Sequence, residues 1–443
     1  MRFIDELAER RRFGMKPGLE TIRTLCAALC DPQKRFCAIH VAGTNGKGAV
    51  CAMLSAVLGG GRYTSPHLMK INERFVIDGK PISDEKLEYF SKIVANAISK
   101  WGQSPLEPGG LSPNSRGLSP SEPGGLSPNS RGQSPGKVTF FEALTAVAFL
   151  AFADAKVRYA ILECGLGGRL DATNVCQPEL CIITRIGLDH CDWLGDTVEK
   201  IAAEKAGIIK PGVPVVLGAN DEIVRTVISS RAKEVGAPFF YAPELANEAE
   251  IPEDFPLAGA FNRENAVTAI AALKVILGKR LTPDVLEGLK NTVWPGRFQR
   301  VGNYIVDGAH NPPAAAALAK ALDEAFPGRR LSLVAGFCGD KDVAQVLRTL
   351  APHVSRGFAV RTNNPRSLSA EETAAKMREA GIPAEPCGSL EEALSKAGKG
   401  TDSFAPALVC GSLFLAGEAL AALGAYPWGD VSSADPSESL RPC

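Results

Sequence analysis

The sequence has no surplus charge of either sign, since Lys+Arg and Asp+Glu both total 49. No global field draws the chain to nucleic acid or to an anionic membrane, so any anion-binding site must be local. Long apolar runs are also missing. The longest, residues 143–153, falls far short of the ~20 residues that span a bilayer. The start, MRFIDELAERRRFG, mixes acids and bases and lacks the apolar stretch of a signal peptide. The 12 cysteines include no CxxC pair and form no short secreted framework. They read as reduced thiols in a cytosol, with Cys51 and Cys410 serving as small core hydrophobes. The expected location is cytoplasmic, and metal binding by cysteine is not expected.

What is present describes an ordinary globular chain. Hydrophobic residues make up 45% and charged residues 22% of 443 residues, enough for two or three domains at about 150 residues each. Short apolar runs at 36–41, 157–163, 180–184 and 213–217 read as strands. Helical patterns at 47–58, 140–152 and 222–235 separate them. Alternation of this kind implies a parallel sheet with helices on both faces. The pattern restarts after Trp294-Pro295-Gly296. Strands are expected at 304–306, 331–335, 357–360 and 407–409, and helices at 312–325, 343–350, 370–380, 390–397 and 414–423. A cleft between two such units is a usual place for a ligand. One segment fits neither unit. QSPLEPGGLSPNSRG (103–117) is followed by the near-copy LSPSEPGGLSPNSRG (118–132), Pro/Gly/Ser-rich sequence that reads as a disordered insertion.

Four motifs carry the chemistry. In HVAGTNGKGA an apolar strand enters a glycine-rich turn, then Lys47, then a helix. Backbone N–H groups of such a turn close around phosphate, and the helix N-terminus adds positive potential. The match to G-x-x-x-x-G-K-[ST] is imperfect, since Val41 stands at the first glycine and Gly48 at the hydroxyl position. In ILECGLGGRLDATN, Glu163 ends a strand, where a carboxylate faces the ligand crevice and can hold magnesium against phosphates. In IGLDHCDWLG, His190 follows another strand end, so it and Glu163 can converge on one ion. By themselves His190 would be a structural histidine and Lys205, in EKAG, a solvated surface lysine. In WPGRFQ and VDGAHNPP, Arg297 can bridge phosphates. Asp307 and His310 lie on a strand–helix turn whose Pro312 and Pro313 fit a helix start.

Together these pieces resemble the Mur-ligase superfamily and, within it, the folylpolyglutamate synthase/dihydrofolate synthase family. The phrases HVAGTNGKG, TSPHL with INERFVIDGKPIS, TFFEALTAVAF, ILECGLGGRLDATNV, IGLDHCDWLG, EKAGIIKPG, NRENA, WPGRFQ, DGAHNPPA and GSLFLAGEAL occur in family order. The resemblance implies an α/β fold: a Rossmann-like P-loop ATPase domain with a parallel-rich sheet (1–296), and a smaller C-terminal α/β Rossmann-like domain (297–428). The segment 103–136 is expected to be a disordered insertion and 429–443 a tail.

The implied reaction phosphorylates a carboxylate with ATP, then lets L-glutamate displace the phosphate. The acceptor is dihydropteroate or a reduced folate, on a monomer with no nucleic-acid or membrane partner. Gly43, Thr44, Asn45, Gly46, Lys47 and Gly48 would cradle ATP, with Asn265, Arg297 and Asp307 holding the nucleotide. Ser65 and Glu163 would bind one Mg²⁺. Glu163, His190 and Lys205, the last as a carbamate, would organise a second, and a monovalent cation is also implied. Lys47, His190, Lys205, His310 and Asp171 form the expected catalytic set, with Ser412 nearby.

The chain departs from the family at Ala49, in place of Ser or Thr, and at Asn262, in place of glutamine. Residues 59–63, Gly-Gly-Gly-Arg-Tyr, shorten a connection, and the repeat is foreign. Ala49 and the short connection are expected to lower activity. The rival readings are a UDP-muramyl ligase and a non-catalytic nucleotide-binding relative. TSPHL, LDHCDWLG and the lack of a UDP-binding domain before the phosphate loop favour folate.

Overall fold

The computed structural model describes residues 18–100, 138–339, 341–399 and 405–429. The 103–132 repeat and the tail from 430 onward lie outside the described residues.

Among the described residues two sheets organise the fold. The first has eight strands in the order β4-β3-β2-β5-β1-β6-β7-β8. They are β1 (Cys37–Ala42), β2 (Gly61–Tyr63), β3 (Phe75–Ile77), β4 (Lys80–Pro81), β5 (Tyr159–Glu163), β6 (Pro178–Ile183), β7 (Val215–Leu217) and β8 (Phe239–Tyr241). The six strands from β2 to β8 in that order are parallel, while β3 and β4 add an antiparallel edge. The second sheet runs β13-β12-β11-β14-β10-β9. Its strands are β9 (Gln299–Val301), β10 (Tyr304–Val306), β11 (Leu331–Ala335), β12 (Val354–Ala359), β13 (Ala384–Pro386) and β14 (Ala407–Cys410). All pairs are parallel except β9–β10.

Helices cover both faces of each sheet. In the first unit they are α1 (Glu20–Ala28), α2 (Lys47–Leu58), α3 (Asp84–Lys100), α4 (Phe140–Asp154), α5 (Val198–Ala206), α6 (Glu222–Glu234) and α7 (Ala260–Leu277). In the second they are α8 (Pro312–Ala325), α9 (Val343–Leu350), α10 (Ala370–Glu379), α11 (Leu390–Gly398) and α12 (Leu413–Ala422). Side chains alternate across a strand, and β5 divides accordingly. Ala160 and Leu162 join α4 residues such as Leu144 and Phe149, whereas Tyr159 and Ile161 join Val50 and Leu54 of α2 and Ile270 of α7. Local chemistry fixes the helix starts. Thr139 and Glu142 form a reciprocal capping box on α4, and Asn311 caps α8 ahead of Pro312.

The sheet order places the crevice. β1 lies between β5 and β6, and the chain leaves it toward β2 on one side but crosses to β6 on the other. Ligands bind beyond the carboxyl ends of strands at such a reversal.

The shortened connection still builds a strand. β2 pairs with β5 from Gly61↔Ala160 to Tyr63↔Leu162. Glycines make this close approach feasible. A Cβ on Gly60, whose φ is +79°, would stand 2.4 Å from the Tyr159 carbonyl oxygen, and one on Gly61 would stand 2.6 Å from the Phe152 ring.

Candidate active site

The phosphate loop joins β1 to α2 and is fastened to the turn after β6. Thr44 and Asn45 N–H groups donate to the Arg185 carbonyl, and Thr44 Oγ1 donates to the Gly187 carbonyl at 3.0 Å. Thr184 Oγ1 donates to the Asn45 carbonyl at 2.7 Å. Two contacts keep the loop free of side chains. A Cβ on Gly46 would lie 2.2 Å from Asn265 Oδ1, and one on Gly48 would lie 2.1 Å from the Trp294 ring. Asn265 and Trp294 thus close over the loop from α7 and from the link between the sheets. Arg62 and Arg297 lie 5.5 and 5.9 Å from the Trp294 ring centroid. Ala49 lines the same cavity and packs its methyl group into the core beside β1.

Two lysines converge on one carbonyl. Lys47 Nζ donates to the Gly43 and Thr44 carbonyl oxygens, both at 3.0 Å, and Lys205 Nζ donates to the Gly43 oxygen at 2.7 Å. Lys205 is buried, against the surface position its local sequence suggests. Burial, reinforced by the Lys47 charge, pulls its pKa down to about 7. Its amine is therefore partly neutral near physiological pH.

Glu163 ends β5 and is buried. Its Oε2 accepts from the Ser65 N–H at 2.8 Å, which ties the TSPHL loop to the strand end. Burial raises its pKa, opposed by Lys47, the Ser65 N–H, Arg297 and Arg74. Asp171 has a different part. Its oxygens accept from the Gly165, Leu166 and Thr173 N–H groups and the Thr173 hydroxyl. Those bonds shape the loop after Glu163, and Asp171 also stands on the lining of a cavity there. Arg169 pairs with Glu204 at 2.9 Å and not with Asp171.

The second sheet supplies the facing wall. Asp307, at the end of β10, accepts from the Phe298 and Ala309 N–H groups, both at 2.7 Å. Burial raises its carboxyl, and Arg297 counteracts that. His310 Nδ1 lies 2.8 Å from the Gly308 carbonyl oxygen. An oxygen there can only accept, so Nδ1 carries the proton and Nε2 is the free acceptor. Burial drives His310 down to about 4, leaving it neutral at physiological pH. Ser412 Oγ accepts from the Leu415 N–H and caps α12.

Asp189 links the halves. Asn311 Nδ2 donates to its Oδ2 at 2.9 Å, and Lys341 Nζ stands 4.0 Å from its Oδ1. Burial raises the Asp189 pKa, but His190, Lys341 and His310 outweigh it and hold the carboxyl low. His190 lies low as well, from burial and from Lys341, Lys47 and Lys205, with Asp189 opposing. The sequence reading did not single out Asp189, Asn311 or Lys341. Lys341 follows β11 in a strand–helix turn, the same signal that marked Glu163.

Two cavities of about 630 and 740 Å³ flank this junction. The first is lined by the phosphate loop, Asn265, Trp294, Arg297 and Asp307. The second is lined by Phe141, Trp193 and Phe414, with Arg74, Lys341 and Arg366. They share a wall of Ser65, Pro66, Gly165, His190, His310 and Leu413.

A divalent ion has a candidate ligand in Glu163, which lines the phosphate-loop cavity. Among the described residues no three His, Cys, Asp or Glu side chains gather into a metal cluster. Glu163 Oε1 has no hydrogen bond among the described residues, so it is a ready ligand. Lys205 as an ammonium would repel a cation, whereas as a carbamate it would present oxygen.

A phosphate loop facing a second α/β unit across paired cavities defines an ATP-using ligase of the Mur type. Residues 125–244 match the Mur ligase middle domain, and 296–413 match the Mur ligase, glutamate ligase domain. The chain is 34% identical over 373 residues to the dihydrofolate synthase/folylpolyglutamate synthase of Bacillus subtilis, covering 77% of this chain and 80% of that one. It superposes on E. coli FolC in complex with DHPP and ADP with a TM-score of 0.78 at 28% identity, over 96% of this chain and 98% of that one. It also superposes on a bifunctional folylpolyglutamate synthase/dihydrofolate synthase with Mn, AMPPNP and L-glutamate bound, with a TM-score of 0.75 at 28% identity, over 96% and 98%. The chain belongs to the folylpolyglutamate synthase/dihydrofolate synthase family.

Proposed function

We propose that this protein is an ATP-dependent ligase that joins L-glutamate to dihydropteroate or to the glutamate tail of a reduced folate. The two cavities meeting at one wall carry this reading. ATP occupies the cavity of the phosphate loop. The pterin lies against the aromatic side of the other, with its carboxylate at the shared wall and the cations Lys341 and Arg366 toward the anionic groups. A carboxylate oxygen attacks the γ-phosphorus and ADP leaves. The glutamate amine then attacks the acyl carbon, phosphate leaves, and the nitrogen gives up its proton.

The chain's own residues supply charge and position. Lys47 and Arg297 offset the anions brought together. Neutral His310 offers Nε2 as an acceptor at the shared wall. The two α/β units enclose the acyl phosphate and exclude water. Magnesium, when bound, screens phosphate charge. Glu163 and Ser65 would hold one ion, and Glu163, His190 and carbamylated Lys205 a second. A monovalent cation beside them, a monomer, domains at 1–296 and 297–428, and a cytoplasmic location complete the proposal.

The test is incorporation of radiolabelled L-glutamate with ATP and Mg²⁺, offering 7,8-dihydropteroate, tetrahydrofolate and UDP-N-acetylmuramoyl-L-alanine in parallel. Product from one or both pterins is expected, and product only from the muramyl substrate would overturn the reading. Lys47→Ala and Glu163→Ala should each abolish ligation with the fold intact by circular dichroism. Full turnover in either would sink the site assignment.

A further inference from the structure

The loop of residues 65–74 runs between β2 and β3 of the first sheet, yet the second unit anchors it. Leu68 packs against the apolar cluster of Leu415, Ala416, Ala419 and Leu420. It fits because residue 417 is glycine, where a Cβ would stand 2.9 Å from the Leu68 carbonyl oxygen. Glu73, only 5% exposed, gathers the N–H groups of Leu68, Met69 and Lys70, each at 2.7 Å. One carboxylate thus defines the turn. Its Oε1 receives a fourth donor from the far end of the chain, the Tyr426 hydroxyl, at 2.5 Å. At the start of the same loop the Ser65 N–H is bound to Glu163, and Ser65 and Pro66 stand on the wall shared by both cavities.

We propose that Tyr426 is a positioning residue whose hydroxyl clasps Glu73 and so sets the loop carrying Ser65 when the two units are together. A hydrogen bond to a carboxylate is stronger than one between neutral groups. Losing it leaves a buried oxygen without one of its donors. Opening the cleft removes the Tyr426 bond and the Leu68 contact together, so the geometry of this loop is conditional on closure. The phosphate loop differs, because its bonds to Arg185, Gly187 and Thr184 lie within its own sheet. Leu68 and Glu73 also border the phosphate-loop cavity, but the phosphate loop's own anchoring is independent of them, so clasping acts on turnover more than on ATP affinity. The rate effect rests on the ligase reading, whereas the ordering of the loop does not.

The experiment pairs hydrogen exchange with steady-state kinetics on full-length Tyr426→Phe, which keeps the ring that packs edge-on against Trp428. Amide exchange at Leu68, Met69 and Lys70 should rise about tenfold, kcat should fall about tenfold, and the Kd for ATP should stay within twofold. Glu73→Gln should act in the same direction, and combining the two should add little. Wild-type exchange, wild-type kcat, or a weakened ATP Kd as the main effect in Tyr426→Phe would each overturn the clasp. If the wild-type protein ligates nothing, the ligase reading fails alone, and exchange at residues 68–70 still decides whether Tyr426 orders the loop.

Discussion

Lys205 is buried and shares a carbonyl oxygen with Lys47, and burial first, then that crowding, governs how Lys205 titrates. Its folded pKa is about 7 against an ordinary 10.5. Between those values the unfolded chain holds a proton that the folded one has released, so stability rises with pH across that window. In protein freed of bound CO₂, Tm should climb from pH 7 to pH 9 relative to Lys205→Met, and parallel curves would refute the shift. A neutral amine is also the form that adds CO₂. Lys205→Ala should lower kcat by about two orders of magnitude, with partial recovery in added acetate if a carboxylate is what the site lacks. Gly48 gives a second residue-level expectation. The Cβ of Gly48→Ala would press on Trp294, and overpacking of this kind costs about 1–3 kcal/mol. The Kd for ATP should rise about tenfold or more by titration calorimetry, while an unchanged Kd would mean that the ring moves freely.

Among elements, β2 depends on Gly61 and on Gly60 just before it. Gly61→Ala drives a methyl group into Phe152 and should lose about 1–3 kcal/mol of stability. A lower urea midpoint at unchanged m-value would register it, and an unaltered midpoint would show that Phe152 can yield. β2 was also, with β3, β4, β8, β9 and β13, among the strands not legible in the sequence. Three residues that begin inside a glycine run show no alternation, and their pairing with β5 comes from residues about a hundred positions away. By contrast α2, β11 and α8 were legible to the residue, because glycine or proline punctuates the start of an apolar pattern at each. The long amphipathic α3 and the long, largely buried α7 went unread, although NRENA marked part of α7. At the site, motif spacing pointed to Glu163, Asp307 and His310, which the structure places at strand ends. It could not reveal the burial of Lys205, whose partner Gly43 lies 162 residues away, nor the Asp189–Asn311 bond between the two units.

At the scale of the whole molecule, α3 and α4 flank the 103–132 repeat and pack into one core through Leu87, Phe90, Val94, Leu144 and Phe149. Removing residues 103–133 should leave glutamate incorporation near wild type, since Pro/Gly/Ser-rich sequence contributes little to a core. A large drop in Tm on deletion would contradict this.

The wall common to both cavities also matters for inhibition. A single compound that tethers an adenine nucleotide to a pterin through a stable phosphonate or phosphinate link would occupy both chambers at once. Its second half would bind at the effective concentration set by the tether, which favours a short, rigid link that matches the gap. Selectivity would follow from needing both halves, because a protein with only one of the two chambers would hold only half of the molecule.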